Sequence, residues 1–433
     1  MAGRHVAPAS DASVVDELLA HIPGAVDVDD QEIVRSFSAV YLRRLPESDL
    51  PDLATEELLA EVQDLLGFIR QREPSTQLVR VFSPTIEACG YGTEGSVLQV
   101  SCDDSPFLVD SVSAAVARLG HDVARHLHPV IGAVRSGSGY LDQVVSARGA
   151  TLRESVQHLE LAERLDKKQS DALESAVRGA LSDVRSSVRD LEGLRGAVQT
   201  MIAGAKASAH HYEHEEVAET VAFLEWLLDD NFVFLGYREY GVDDTPGGTA
   251  VKAFDETGLG ILSGNGSEPS LILLDELPPH LRDRYTGGDL LVVTKTNRHS
   301  TVHRDARMDY VGLRKIGRDG TMQVELRMLG LFTSKAYMTP ASEIPVLRQK
   351  LSRIIGHQDV IEGSHDYKTI IKLFETFPKD DLFAMDVTDI SETLGELVET
   401  EDSAEVRLFV RSDSLNRFVS VLVTVPRDRF NAD

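Results

Sequence analysis

Between residues 11 and 72 apolar side chains recur every three or four positions, at Val15, Leu18 and Leu19 and again at Leu58, Leu59, Val62, Leu65, Leu66 and Ile69. That period marks one face of an amphipathic helix. The breakers Pro46 and Pro51 divide the stretch into two helical pieces, and Glu73-Pro74 closes it, so 1–74 reads as an N-terminal helical segment. The period then changes to two. QLVRVFS at 77–83 alternates as a half-buried strand does, VLQVSC at 97–102 repeats the pattern, and DVARHLHPVIGAV supplies a third strand after an intervening helix. Residues 75–165 therefore read strand, strand, helix, strand. From 166 to 228 there is no proline, and Leu181, Val184, Val188, Leu191 and Leu194 keep helical spacing. Paired helices forming a spacer or a subunit contact are expected there.

Alternation returns over 229–340 in FVFLGYREY, LILLD, LLVVTKTN and DYVGLRKIGRDGTMQVELRML, whose Asp319-Gly320 is a hairpin signal. Helices follow at about 340–356, opened by Thr339-Pro340 as cap and first-turn proline, and at 364–400, within a helical segment 341–403. The last stretch, 404–433, gives two apolar runs joined by a polar turn with Asp413, Ser414 and Asn416. A lone hairpin is not stable, so these runs are expected to open a further strand-rich unit, cut short, of a longer polypeptide. Sheets interleaved with helical segments make the fold class α+β.

Composition narrows what such a chain does. Its 433 residues exceed one core and suggest two to four units. Seventy acidic against 44 basic side chains give a formal charge of -26, a field that repels nucleic acid and anionic membrane surfaces. With only Cys89 and Cys102 there is neither a disulfide framework nor a CxxC knuckle, which suits a reducing cytoplasm. No secretory leader and no apolar run of membrane-spanning length is present.

The densest polar cluster beside an apolar pattern is SCDDSPFLVDSVSAAVARLG, residues 101–120. Ser105 suits a helix N-cap and Pro106 the first helical position, with Leu108, Val112, Ala115 and Leu119 on one face before Gly120. A second reading adds a ligand: free amides at the helix start attract a carboxylate while Asp103 or Asp104 receives an ammonium, together holding an amino acid. Both readings account for the residues.

Other motifs fall away on context. GYGTEG at 90–95 precedes a strand instead of opening a helix, and GLGILSGNG at 258–266 reads as a turn. His126 with His128, and His210 with His214, have ligand-like spacing but no third ligand nearby, so no metal site is assigned. His303-Arg304-Asp305 lacks the downstream asparagine and the DFG of a kinase, and there is no G-x-S-x-G elbow. No catalytic and no cofactor-binding residue is assigned in this chain.

The strand, Asp-rich turn with proline, helix and strand around 97–134 resemble the ACT domain, a regulatory module that commonly binds amino acids at that turn. Phe107 stands where such turns often carry glycine, and Ser105 where methionine is common before the proline. More broadly, DDSPFLVDSV (103–112), HPV (128–130), FVFLGYREY (232–240), GLGIL (258–262), HRDARMDYVGLRKI (303–316) and GLFTSKAY (330–337) resemble, in order, the N-terminal half of bacterial large-type NAD-specific glutamate dehydrogenases. EIPVLRQK (343–350), SHDYKTIIKLFETFPKDDLF (364–383) and FVSVLVTVPRDRF (418–430) continue the series. The resemblance implies tandem ACT-like (ferredoxin-like βαβ) domains at 75–165, at 229–340 and beginning at 404, separated by helical segments. It also implies a regulatory and oligomerisation region, with a catalytic domain that converts L-glutamate and NAD to 2-oxoglutarate, ammonia and NADH lying beyond this chain. An amino-acid effector would then meet Asp103, Asp104, Ser105, Pro106, Phe107 and Leu108, and a homo-oligomer is expected. The alternative is a free-standing ACT-type amino-acid sensor or scaffold.

Overall fold

A computed structural model describes residues 12–44, 54–264, 271–276, 288–317, 322–358, 360–400, 406–412, 419–425 and 429. Pro46, Pro51, Asp319-Gly320 and the Asp413, Ser414 and Asn416 turn lie outside them. The fold is α+β, in two compact units: Met1–Arg185 with Thr301–Asp305, and Ser186–Ser300 with Ala306–Asp433.

In unit 1 the described residues of the leading segment hold three helices instead of two: α1 (Ala12–Ala25), α2 (Gln31–Tyr41) and α3 (Thr55–Ile69). The extra break falls at Val28–Asp30, a 3-10 turn, where apolar spacing lapses. There follow β1 (Leu78–Phe82), α4 (Ile86–Cys89), β2 (Val97–Asp103), α5 (Leu108–Arg118), β3 (Val123–Leu127), β4 (Val130–Arg135), β5 (Leu141–Val145) and β6 (Arg153–Leu161). The stretch DVARHLHPVIGAV is thus two strands, interrupted at His128-Pro129, since proline cannot donate to the ladder. Both pieces pair with β6, at opposite ends of it, and the sheet order is β1-β2-β6-β4-β5. Because β2 and β3 each run antiparallel to β6, they are parallel to one another, with α5 as the crossover: a split βαβ unit.

Leu18, Ile33, Phe37, Leu58, Val62 and Leu66 from the leading helices share one core with Leu127, Ile131, Leu141 and Val156 of the sheet. The helices therefore cover one sheet face, as their apolar stripes require. The outer edge of β1 is not left bare. Its Val81 N–H donates to Glu174 Oε1 at 2.9 Å, and Val79 O accepts from Arg178, both from α6 (Lys167–Arg189).

Unit 2 begins with α7 (Leu191–Ala207) and α8 (His214–Trp226). Its sheet contains β7 (Phe232–Thr245), β8 (Gly248–Gly260), β9 (Leu271–Leu273), β10 (Leu291–His299), β11 (Arg307–Ile316) and β12 (Met322–Phe332). The order is β10-β11-β12-β7-β8-β9, every pair antiparallel. Leu194, Val198 and Met201 of α7 bury against Phe234, Leu313, Leu326 and Met328 of this sheet. GLG at 258–260 ends β8, and the expected turn follows directly after Gly260, whose φ of 61 lets the chain reverse.

Among the described residues five α-helices follow: α9 (Ser334–Met338), α10 (Leu347–His357), α11 (His365–Thr376), α12 (Lys379–Ala384) and α13 (Val387–Thr400). Thr339-Pro340 does not open a helix over 340–356. Thr339 is the extended residue that ends α9, its hydroxyl donating to Lys335 O, and α10 starts only at Leu347. The helical stretch 364–400 is broken at Pro378 and Met385, although Ser364 does cap α11 by accepting from Tyr367 N at 3.1 Å. Finally β13 (Arg407–Ser412) and β14 (Val419–Thr424) form a hairpin whose Phe409 and Leu422 pack on the unit 2 core. Its other face exposes Leu408, Val410, Val421 and Val423.

One glycine sets the register of the unit 2 sheet. A Cβ on Gly330 would lie 2.2 Å from Val233 O, at a shift in the β12–β7 ladder. Gly330→Ala should cost about 1–3 kcal/mol, read as a lower urea midpoint, because the Val233 backbone and the buried Phe232 ring both block the methyl group. An unchanged midpoint would mean that the strands separate there without cost.

Candidate functional site

The Asp-rich turn leaves β2 at Asp103 and enters α5 at Leu108. Ser105 does not cap the helix. Its hydroxyl reaches only Pro106 O, at 3.5 Å, and the residue preceding the helix is Phe107. Phe107 takes φ 72 and ψ 0, the left-handed conformation that glycine adopts without cost. The turn thus has the backbone path of a glycine turn, with a phenyl ring at that position. Ser111 stabilises it from inside the helix, donating to Phe107 O at 2.6 Å.

Asp103 is held. Its Oδ1 accepts from Arg72 Nη2 at 2.7 Å, and Arg72, almost wholly buried, also contacts Glu154 at 2.8 Å and donates to Thr76 O. Glu154 has no exposed surface and takes two further bonds from Arg135, at 2.6 and 2.7 Å. Burial works against the Glu154 charge, but the bonds from Arg135 and Arg72 outweigh it and hold its pKa below the ordinary carboxyl value. Asp104 stands 3.6 Å from Arg153 Nε, and its amide donates to Arg153 O at 2.9 Å. Leu108 is buried, whereas Ser105 and Pro106 face outward. Asp103, Asp104, Ser105, Pro106, Phe107 and Leu108 thus form one continuous turn, its first acid tied to the interior. Burial also pushes the neighbouring Cys102 thiol up to about 12, which removes it as a nucleophile.

A further residue borders the turn that sequence reasoning did not place there. His303 belongs to unit 1 through the segment Thr301–Asp305 and takes φ 69. Its amide donates to Ser111 Oγ at 2.9 Å, its Nδ1 lies 2.9 Å from Asp110 Oδ2, and its ring centroid is 5.2 Å from that of Phe107. Thr301 donates to Asp183 at 2.6 Å and Arg118 pairs with Asp305 at 3.1 Å, fixing the segment at both ends. A separation of 192 residues between His303 and Ser111 leaves no local pattern to read. The HRD triplet is a docking segment, and Phe107 and His303 together form the apolar wall of the turn.

The histidine pairs do not assemble as spaced. His126 and His128 reach Gln157 and Ser155, while His210 precedes α8 and His214 begins it, so the latter two share no helix face. The carboxylate and imidazole groups that do converge are Glu61, His158 and Glu160, with donor atoms within 4.8 Å of one another. Arg125 already serves both carboxylates: Nη2 bonds Glu61 and Glu160, and Nε reaches Glu160 at 3.1 Å. Tyr41 donates to Glu61 from the opposite side. In unit 2, Asp309 is buried, accepts from Lys295 at 2.6 Å and from Phe332 N at 2.9 Å, and is pushed by burial up to about 6. Tyr310 donates to Glu325 at 2.5 Å. GYGTEG leads from α4, which Gly90 ends at φ 76, into β2, and a Cβ on Gly95 would sit 1.8 Å from Leu161 O.

With this geometry described, likeness to known proteins can be stated. Residues 37–177 match the glutamate dehydrogenase ACT1 domain, 344–403 glutamate dehydrogenase helical motif 1, and 407–433 the glutamate dehydrogenase ACT2 domain. The chain is 28% identical over 439 residues to an NAD-specific glutamate dehydrogenase of Halomonas elongata, covering 97% of this chain and 26% of that protein. It is 30% identical over 403 residues to that of Pseudomonas aeruginosa, covering 92% and 24%. With that of Mycobacterium tuberculosis it shares 29% over 347 residues, covering 78% and 20%. It spans about a quarter of the length of the first two relatives. Among the described residues no helix is long and apolar enough to cross a membrane.

Proposed function

This chain belongs to the large NAD-specific glutamate dehydrogenases as an N-terminal region of them, and from that premise we propose that it regulates and assembles an enzyme whose catalytic domain lies outside these residues. The parent reaction is the oxidation of L-glutamate by NAD to 2-oxoglutarate and ammonia, in the cytoplasm, by a homo-oligomer. NAD binds that catalytic domain, so the partner of this chain is its own downstream sequence. ACT-like units at 75–165 and from 404 onward carry the regulation. The antiparallel sheet at 229–340 and the helices at 166–228 and 341–403 belong to the same regulatory region.

The observation that carries the reading is the split βαβ unit with its anchored turn, lying inside the span that matches the glutamate dehydrogenase ACT1 domain. At that turn an amino-acid effector would set its carboxylate on the first amides of α5 and its ammonium on Asp104, with its side chain on the Phe107 and His303 rings. Asp103 shapes the turn from its bond with Arg72. The exposed row Leu408, Val410, Val421 and Val423 is the face that the remainder of the ACT2 domain would cover.

The test is glutamate-dependent NAD reduction by the full-length enzyme, scanned against single amino acids. An effector should change the rate several-fold, a coupling of about 1–3 kcal/mol, and Asp103→Ala with Asp104→Ala should abolish the response while sparing the basal rate. Unchanged response in that double variant overturns the effector site. Turnover by the purified 433-residue chain would overturn the regulatory reading itself.

A further inference from the structure

A second concavity in unit 1 involves none of the turn residues. It encloses about 490 Å³ against α2, Pro129–Val130 and the end of β5, and two arginines line it, Arg43 and Arg148. A volume of this size suits a small metabolite, since ligand pockets span roughly 300–1,000 Å³. Val40, Val130 and Val144 supply apolar wall, and Ser36 and Ser146 add hydroxyls.

Both arginines are carried on anchored backbone. Arg43 follows Tyr41 and Leu42, which are buried in the core beneath the leading helices. Arg148 belongs to a tight turn in which its amide donates to Ser146 Oγ at 3.3 Å and Ala150 N donates to Ala147 O. That turn rests directly on β4: a Cβ on Gly132 would lie 2.7 Å from Ser146 O and 2.8 Å from Ala150 Cβ. Only glycine at 132 allows so close an approach, which fixes where Arg148 begins.

Charge bears on what the cavity can hold. In a chain with 70 acidic and 44 basic side chains, the interior arginines Arg72, Arg125 and Arg135 all meet carboxylates. Neither Arg43 nor Arg148 has an acidic partner within 4 Å among the described residues, and no aspartate or glutamate lines the cavity. A guanidinium offers a planar fork of donors matched to carboxylate or phosphate oxygens. We propose that this cavity is an anion site, in which Arg43 and Arg148 hold the carboxylate or phosphate groups of a small metabolite whose apolar body rests on Val40, Val130 and Val144. A free amino acid fits less well, because among the described residues no acid lines the cavity to meet its ammonium. The site is therefore chemically distinct from the α5 turn, and the proposal does not rest on that turn binding anything.

The test is calorimetric titration of the 433-residue chain with glutarate, a dicarboxylate, and in parallel with glycerol 3-phosphate, at about 0.15 M salt so that diffuse attraction is screened. One of the two should saturate a single site, and which one does names the anionic group. Arg43→Ala and Arg148→Ala should each weaken it about tenfold or more, Arg148→Lys less, because charge remains while the fork is lost. Arg153→Ala, whose side chain is also exposed but lies outside the cavity, should change nothing. Since Arg43 and Arg148 are exposed, the thermal midpoints should match the parent chain. No saturation by either probe below about 10 mM, or equal weakening by Arg153→Ala, overturns the proposal.

Discussion

Replacing Arg125 with methionine should lower the unfolding free energy of unit 1 by about 3–5 kcal/mol, the range for breaking a buried ion pair from one side. Arg125 is the cation between Glu61 of α3 and Glu160 of β6, and both arginine and Glu61 are buried. Burial works against the guanidinium charge, but Glu61 and Glu160 outweigh it and raise its pKa further. Without it two carboxylates face each other in the interior, with Tyr41 able to donate to only one of them. The deficit should depend on pH in a definite direction. Buried carboxyls without a cation have folded pKa values above their unfolded ones, so the penalty is absent well below the unfolded value and grows as pH rises through the folded one. Urea midpoints of parent and variant should therefore converge from neutrality toward about pH 4. A loss under about 1 kcal/mol at neutral pH would mean that water reaches the carboxylates, and that α3 docks through its apolar stripe alone.

This network explains what was and was not legible in the sequence. Strands β1 and β2 and the stripe of α3 follow from period, whereas β6 carries too many polar residues to show one. Even the interruption at Pro129 is visible in retrospect, since a proline cannot donate to the ladder. The Tyr41, Glu61, Arg125 and Glu160 cluster is different, for its members come from α2, α3, β3 and β6 and no local window contains them. The one local sign is His158-Leu159-Glu160, two polar groups on one face of a strand. The turn was readable in composition and misread in conformation. Ser-Pro ahead of an apolar run has the residue types of a cap, yet the chain makes its left-handed step at Phe107, two residues later. Contacts with Ser111 and His303 maintain that step, and the second of these is remote in sequence.

Glu154→Gln should cost about 3 kcal/mol at neutral pH, and its effect should reach the turn. Glutamine keeps the shape but removes the charge that faces Arg135 and Arg72, leaving two buried guanidiniums to share a neutral acceptor. Its folded pKa is depressed below the ordinary 4.5, so the stability it contributes is fully present above the unfolded value and is lost as pH falls through the folded one. The gap between parent and variant should thus stay flat from neutrality to about pH 5 and close below it, in the same direction as that of the Arg125 variant. Both series can be measured by urea titration of the same chain. A gap that persists unchanged to about pH 3 would show that packing, and not charge, makes Glu154 stabilising. Because Arg72 spans Glu154 and Asp103, loosening it frees the acid that shapes the turn before α5. In the full-length enzyme Glu154→Gln should therefore weaken the amino-acid response at neutral pH with little change in basal rate. A normal response would mean that Asp103 holds the turn without help from the interior.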